Sequence, residues 1–141
     1  MISVVLACGA EKGPASAPAL DLYRGPFFRL TRRWAESVTG RGRIFILSAL
    51  HGLVRADELL APYDVRMRPS PELVARVRGQ VAALGLGGPV YFAGGAAYLA
   101  VLLPALPEVV AVSAALPAGR AGRGIGAQRG WYSRNLGRLP T

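Results

Sequence analysis

Cysteine, histidine and lysine are nearly missing from this chain: Cys8, His51 and Lys12 are their single representatives among 141 residues. One cysteine cannot close an internal disulfide, and one cysteine with one histidine falls short of the ligands that a zinc site takes. A structural metal is therefore not expected, and no cofactor is called for. Acids are scarce as well, 8 against 17 basic residues, which leaves a net charge of +9. No apolar run approaches the ~18 residues that would span a bilayer. The opening Ile2-Ser3-Val4-Val5-Leu6-Ala7 carries no basic leader. The chain thus reads as soluble and cytoplasmic, with no membrane partner.

Hydrophobic residues make up 52% and charged residues 18%, enough apolar surface to offset the entropy of folding and to exclude intrinsic disorder. The length of 141 residues fits one domain, 1–141, expected to be a monomer. All the basic residues except Lys12 are arginines. A basic excess of this size implies a polyanionic partner, nucleic acid with DNA expected over RNA. A coding bias towards Arg, Ala, Gly and Pro would produce the same composition with no function behind it.

Four short apolar runs, Ile2–Ala7, Ile44–Ser48, Val90–Ala93 and Val109–Val112, have the length and continuity of buried parallel strands. Helical patterns lie between them. The first opens at Pro26 and puts Phe27, Leu30, Thr31, Trp34 and Val38 on one face. The second starts at Ser70 as N-cap with Pro71 and Glu72 in its first turn, turns Leu73, Val74, Val77, Val81 and Leu84 inward, and stops at Gly85. A third follows Gly94-Gly95 and is expected to end near Leu103, before Pro104. The alternation predicts an α/β fold, a three-layer α/β/α sandwich around a mainly parallel four-stranded sheet. The tail 117–141 is basic and holds no acid, and the aromatics Trp131 and Tyr132 predict a docked helix from about Ile125 to Leu136.

Ligands of open parallel sheets bind beyond the carboxyl ends of the strands. The residues there are Cys8, Gly9, Glu11 and Lys12 after the first strand, Ser48, His51 and Gly52 after the second, and Gly94 and Gly95 after the third. The glycines allow close backbone approach to a phosphate or base, although glycine is also ordinary turn punctuation. His51 is a candidate acid/base because its pKa range straddles working pH. Cys8 lacks an obvious base and is read as packing or lining the ligand. Asp57, Asp64 and Glu11 fall in loops and are the carboxylates available to activate water; spacing does not choose among them.

The stretch Ile46-Leu47-Ser48-Ala49-Leu50-His51-Gly52-Leu53-Val54-Arg55-Ala56-Asp57, continuing to Pro62-Tyr63-Asp64-Val65-Arg66-Met67, resembles the signature of the YaaA peroxide-stress family. Leu22-Tyr23-Arg24-Gly25 and Cys8-Gly9 with Lys12 take the places of two further family segments. A closer likeness is to a small uncharacterised bacterial and phage family with C-G-x-x-K, L-S-A-x-H-G-L and a late G-I-G motif followed by tryptophan. The sequence departs from the YaaA pattern at Ala49, His51 and Asp64, where the family has glycine, tyrosine and arginine. The resemblance implies a DNA-associated protein linked to oxidative damage. A looser likeness, to uracil-DNA-glycosylase-like domains, implies chemistry at the N-glycosidic bond, although the aspartate-bearing loop of those domains is missing after the first strand.

The expectation is therefore an enzyme that cleaves or exchanges an N-glycosidic bond in nucleic acid, a DNA glycosylase-like protein; the alternative is a non-catalytic DNA-binding or DNA-protecting protein. In the first case His51, Asp57, Asp64 and Lys12 are the catalytic candidates. Cys8, Gly9, Tyr23, Ser48, Gly52, Tyr63, Gly94, Gly95, Gln128 and Trp131 would bind the base or sugar, and Arg120, Arg123, Arg129 and Arg134 would track the phosphate backbone.

Overall fold

In the computed structural model, which describes residues 1–116 and 125–140, the four apolar runs become the parallel centre of a sheet. The elements in chain order are β1 Ser3–Ala7, β2 Ala17–Pro18, α1 Ala19–Leu22, α2 Pro26–Val38, β3 Ile44–Ser48, β4 Gly52–Arg55 and β5 Leu59–Leu60. There follow α3 Pro71–Leu84, β6 Val90–Ala93, α4 Ala96–Ala105, β7 Val110–Ala111 and α5 Ile125–Arg134. Strands pair in the order β4-β3-β1-β6-β7, and β2 pairs with β5 in a small separate ribbon.

Among the described residues the main sheet therefore has five strands and not the predicted four. The extra strand, β4, runs antiparallel to β3 with Ser48 opposite Gly52 and Phe45 opposite Arg55. Parallel strands need a helical crossover, but an antiparallel partner is reached through a short turn, here Ala49-Leu50-His51.

Side chains alternate across the sheet with the period of two that strands impose. Val4, Leu6, Ile44, Ile46 and Val54 face the layer of α1, α2 and α5, whereas Val5, Phe45, Leu47, Leu53 and Phe92 face α3 and α4. Both faces are covered, which makes the three-layer arrangement.

Helix boundaries follow local chemistry. Pro26 starts α2 at a position where its missing N–H costs nothing. Ser70 caps α3, its hydroxyl accepting from the Leu73 amide at 3.1 Å, and Gly85 ends that helix in the left-handed region at φ 67°. The expected stop before Pro104 is not observed: α4 carries Pro104 within its last turn, where the one lost bond and the ring's clash weigh least because the helix ends one residue later, at Ala105. α5 docks on α2 through Trp131 and Tyr132, each with its ring centroid 5.6 Å from that of Trp34.

The sequence order of the parallel strands reverses direction at β1, which lies between β3 and β6. The carboxyl ends of β1 and β6 are thus the switch point at which an open α/β sheet leaves a crevice.

Candidate functional site

β1 delivers Cys8 and Gly9 to that crevice, and the following loop returns along Leu22–Arg24. The amide of Gly13 donates to the Leu22 carbonyl and that of Arg24 to the Glu11 carbonyl, each at 2.9 Å. This brace fixes Lys12, whose ammonium donates to the carbonyls of Gly9 at 3.0 Å and Ala10 at 3.3 Å. It also stands 4.4 Å from the centre of the Tyr63 ring, a cation–π distance. Two of its three N–H bonds are spent on carbonyls, and the third meets no oxygen acceptor among the described residues.

β3 ends in Ser48, which is fully buried. Its Oγ accepts from the amides of Leu50 at 3.2 Å and His51 at 3.0 Å, filling both lone pairs. Its own proton must then go to the Tyr63 hydroxyl, 2.6 Å away, and the Tyr63 proton to the Tyr23 hydroxyl, also 2.6 Å away. His51 meets the Tyr63 ring edge-on at 5.4 Å. Beside this chain, the Cys8 thiol lies 3.2 Å from the Tyr98 hydroxyl and accepts the Ala49 amide at 3.4 Å.

Burial, first of all, pushes the Tyr23 phenol up to about 12; burial likewise raises Tyr63 and Tyr98, helped by the neighbouring Cys8. These tyrosines act as neutral hydrogen-bonding groups and not as phenolates. Because the folded values lie above the ordinary 10.0, their contribution to stability is complete below pH 10.0; that of Tyr23 is lost as pH rises through its folded value near 12, and those of Tyr63 and Tyr98 at higher pH. Alkaline unfolding followed by circular dichroism is expected within that window, with tyrosinate absorbance appearing together with loss of structure. Tyrosinate formation at Tyr23, Tyr63 or Tyr98 in the intact fold near pH 10, assigned with Tyr→Phe variants, would contradict the buried network.

Ten residues without regular structure, 61–70, cross the mouth of the crevice. They separate two adjoining cavities. The larger, about 700 Å³, is lined by Arg66, Arg68 and Arg76 together with Asp64, Ser70 and Glu72. The smaller, about 190 Å³, lies at the switch point and is lined by Gly9, Lys12 and Tyr98 with Asp64, Arg66 and Met67. Asp64 borders both. Ion pairs among the described residues belong to Arg32 and Arg41, with Asp21 and Glu36, so no carboxylate in contact neutralises the three cleft arginines.

The structure brings together Cys8, Gly9, Lys12, Tyr23, Ser48, His51, Tyr63 and Asp64. It places Asp57 elsewhere: β4 runs back along β3, so Asp57 lies exposed near the opposite end of the sheet from His51. Gly52 shapes the turn behind His51 with φ 71°. Gly94 is buried, and the space a Cβ would fill there is occupied by Ala7 and Phe92, both at 2.6 Å. Gly95 is the N-cap of α4. Gln128 is buried between Gly94, whose carbonyl accepts its amide at 2.9 Å, and Tyr132, whose hydroxyl donates to it at 2.7 Å. Trp131 packs on Trp34 and lines neither cavity. Arg129 and Arg134 are exposed on α5, and Arg120 and Arg123 lie outside the described residues.

Sequence reasoning missed Tyr98, Arg66, Arg68 and Arg76. The position of Tyr98 in the first turn after Gly94-Gly95 was an available signal; the arginines converge only through the fold. Among the described residues no group of three potential metal ligands occurs, and no helix is long and apolar enough to cross a membrane. No curated protein and no solved structure matches the chain. A model of the Family of unknown function (DUF6884) matches residues 3–134, nearly the whole of the α/β domain, and the chain belongs to that family.

Proposed function

We propose that this protein binds nucleic acid, DNA in the first instance, and cleaves or exchanges the N-glycosidic bond of one nucleotide. The observation that carries the reading is that an arginine-lined cleft and a small polar cavity at the switch point adjoin and share Asp64 in their walls. Phosphates would lie against Arg66, Arg68 and Arg76, and the base would enter the smaller cavity beside Lys12 and Tyr98. That placement sets the bond between base and sugar next to the Asp64 carboxylate. As the C–N bond breaks, its electron pair leaves with the base and positive charge develops on the sugar; Asp64 stabilises that charge and orients the water whose oxygen forms the new bond to the sugar, its proton passing to the carboxylate and on to the departed base. The free N–H of Lys12 donates to the departing base. Ser48, Tyr63 and His51 act at one remove, holding the strap and the ammonium in place.

The test is incubation with oligonucleotides carrying normal, oxidised and modified bases, read by mass spectrometry for free base. Asp64→Asn is expected to lower release by about 10²-fold or more with binding little changed. Intact oligonucleotides throughout would defeat the catalytic reading. One observation favours the second reading, a non-catalytic DNA-binding or protecting protein of the peroxide-stress type: Asp64 is exposed, the setting of a carboxylate that stays solvated. Under that reading only the arginine substitutions weaken binding and no variant alters the oligonucleotide.

A further inference from the structure

Within the strap 61–70, residues 66–68 divide between core and cleft. Met67 is half-buried against the core on the α3 and α4 side, whereas Arg66 and Arg68 on either side of it are exposed and line the larger cavity. Arg66 and Arg68 thus reach the same cleft from two positions in the chain, and backbone two residues apart spans at most about 7 Å. An interval of that order suits successive phosphates of one extended strand and exceeds the spacing within a polyphosphate. Arg76 of α3 adds a third cation; one of its nitrogens donates to the Leu50 carbonyl at 3.1 Å, which fixes its place at the cleft wall.

The same cavity carries two acids, Asp64 and Glu72. Phosphates beyond those held by the three arginines would approach these carboxylates, and like charges brought together repel. The smaller cavity, about 190 Å³, has room for an unpaired base and none for a base pair.

We propose that the cleft takes a single, unpaired nucleic-acid strand, its consecutive phosphates on Arg66 and Arg68, and discriminates against both duplex and free nucleoside polyphosphate. The inference rests on the nucleotide reading given above and specifies its substrate class. DNA and RNA strands share the phosphodiester chemistry that this spacing recognises.

Fluorescence anisotropy at several salt concentrations separates the possibilities, using labelled oligothymidylate, its oligouridylate counterpart, a hairpin duplex of equal length and ATP as competitor. Single strands are expected to bind at least about tenfold tighter than the hairpin, with ATP a poor competitor. Arg66→Gln and Arg68→Gln should each reduce the slope of log affinity against log salt by about 0.7. Arg55→Gln, an exposed arginine at the far end of β4, should leave the slope unchanged. A hairpin that binds as well as the strand, or three variants with equal effects, overturns the proposal. A parallel titration with mononucleotides keeps the two readings apart. If mononucleotide binding depends on Lys12 while strands show no advantage, the strand proposal falls and the nucleotide reading stands; if neither binds, both fall.

Discussion

Replacing Trp34 with alanine is expected to cost about 3–5 kcal/mol of stability, a large part of the roughly 5–15 kcal/mol that holds a domain folded. Trp34 is fully buried, and its ring is a main contact through which α5 joins α2, with Trp131 and Tyr132 packed around it at 5.6 Å and Phe27 meeting Tyr132 at 6.0 Å. Its indole N–H donates to the Arg138 carbonyl at 2.9 Å, tying down the chain beyond α5. Removal of the ring leaves a cavity beneath two other aromatics and orphans that carbonyl. Denaturant unfolding should show the loss, with a fall in Tm of roughly 10 °C or more. Trp34→Phe keeps most of the packing and drops the N–H, and should cost about 1–2 kcal/mol. Because Trp34 lines neither cavity, nucleic-acid binding well below the melting point should survive either change. A loss under about 1 kcal/mol for Trp34→Ala would mean that α5 contributes little to the fold.

That docking was visible in outline from the sequence, because a basic tail bearing Trp131 and Tyr132 has apolar surface to bury. The parallel strands were visible too: Val4-Val5-Leu6 and Ile44-Phe45-Ile46-Leu47 are apolar at every position, as strands covered on both faces must be. Ser70, Pro71 and Gly85 bounded α3 with local chemistry that needs no tertiary context. β4 escaped because Gly52-Leu53-Val54-Arg55 is short and follows a turn without the usual asparagine–glycine or aspartate–glycine pair.

The same hidden strand explains the fate of Asp57. Only six positions separate it from His51 in the chain, but β4 lies between them and carries it away from the crevice. Asp64 is further along in sequence and nearer in space, since 61–70 returns across the mouth. Gln128 and Trp131 looked like ligand groups because polar and aromatic residues near glycines suit a base, yet their partners are Gly94, Tyr132 and Trp34. The cleft arginines come from two separate segments, 66–68 and 76, and no spacing rule joins them before the strap is laid over α3. What a sequence displays is local; the cleft is a product of where β4 and the strap turn.

Gly52→Ala is expected to damage the site through that turn, at about 2–4 kcal/mol. Its φ of 71° belongs to the left-handed region, where a Cβ alone costs about 1–2 kcal/mol. The new methyl group would also collide with the Gln80 side chain. Gln80 holds both sides of the turn, accepting from the Leu53 amide at 2.7 Å and donating to the His51 carbonyl at 3.0 Å, so displacing it breaks two bonds at once. A double-mutant cycle tests this account. Gln80→Ala alone should cost about 1–3 kcal/mol for the two lost partners, but in the Gly52→Ala background it should cost almost nothing, because the bonds are already broken and the clash is relieved. Strict additivity would show that Gln80 and Gly52 act independently and that the collision is absent. The cycle also reaches the site: the amides of Leu50 and His51 hold the Ser48 hydroxyl, which orients Tyr63 beneath Lys12. A turn loosened at Gly52 should therefore weaken nucleotide binding beyond what the lost stability accounts for, whereas Trp34→Phe should not.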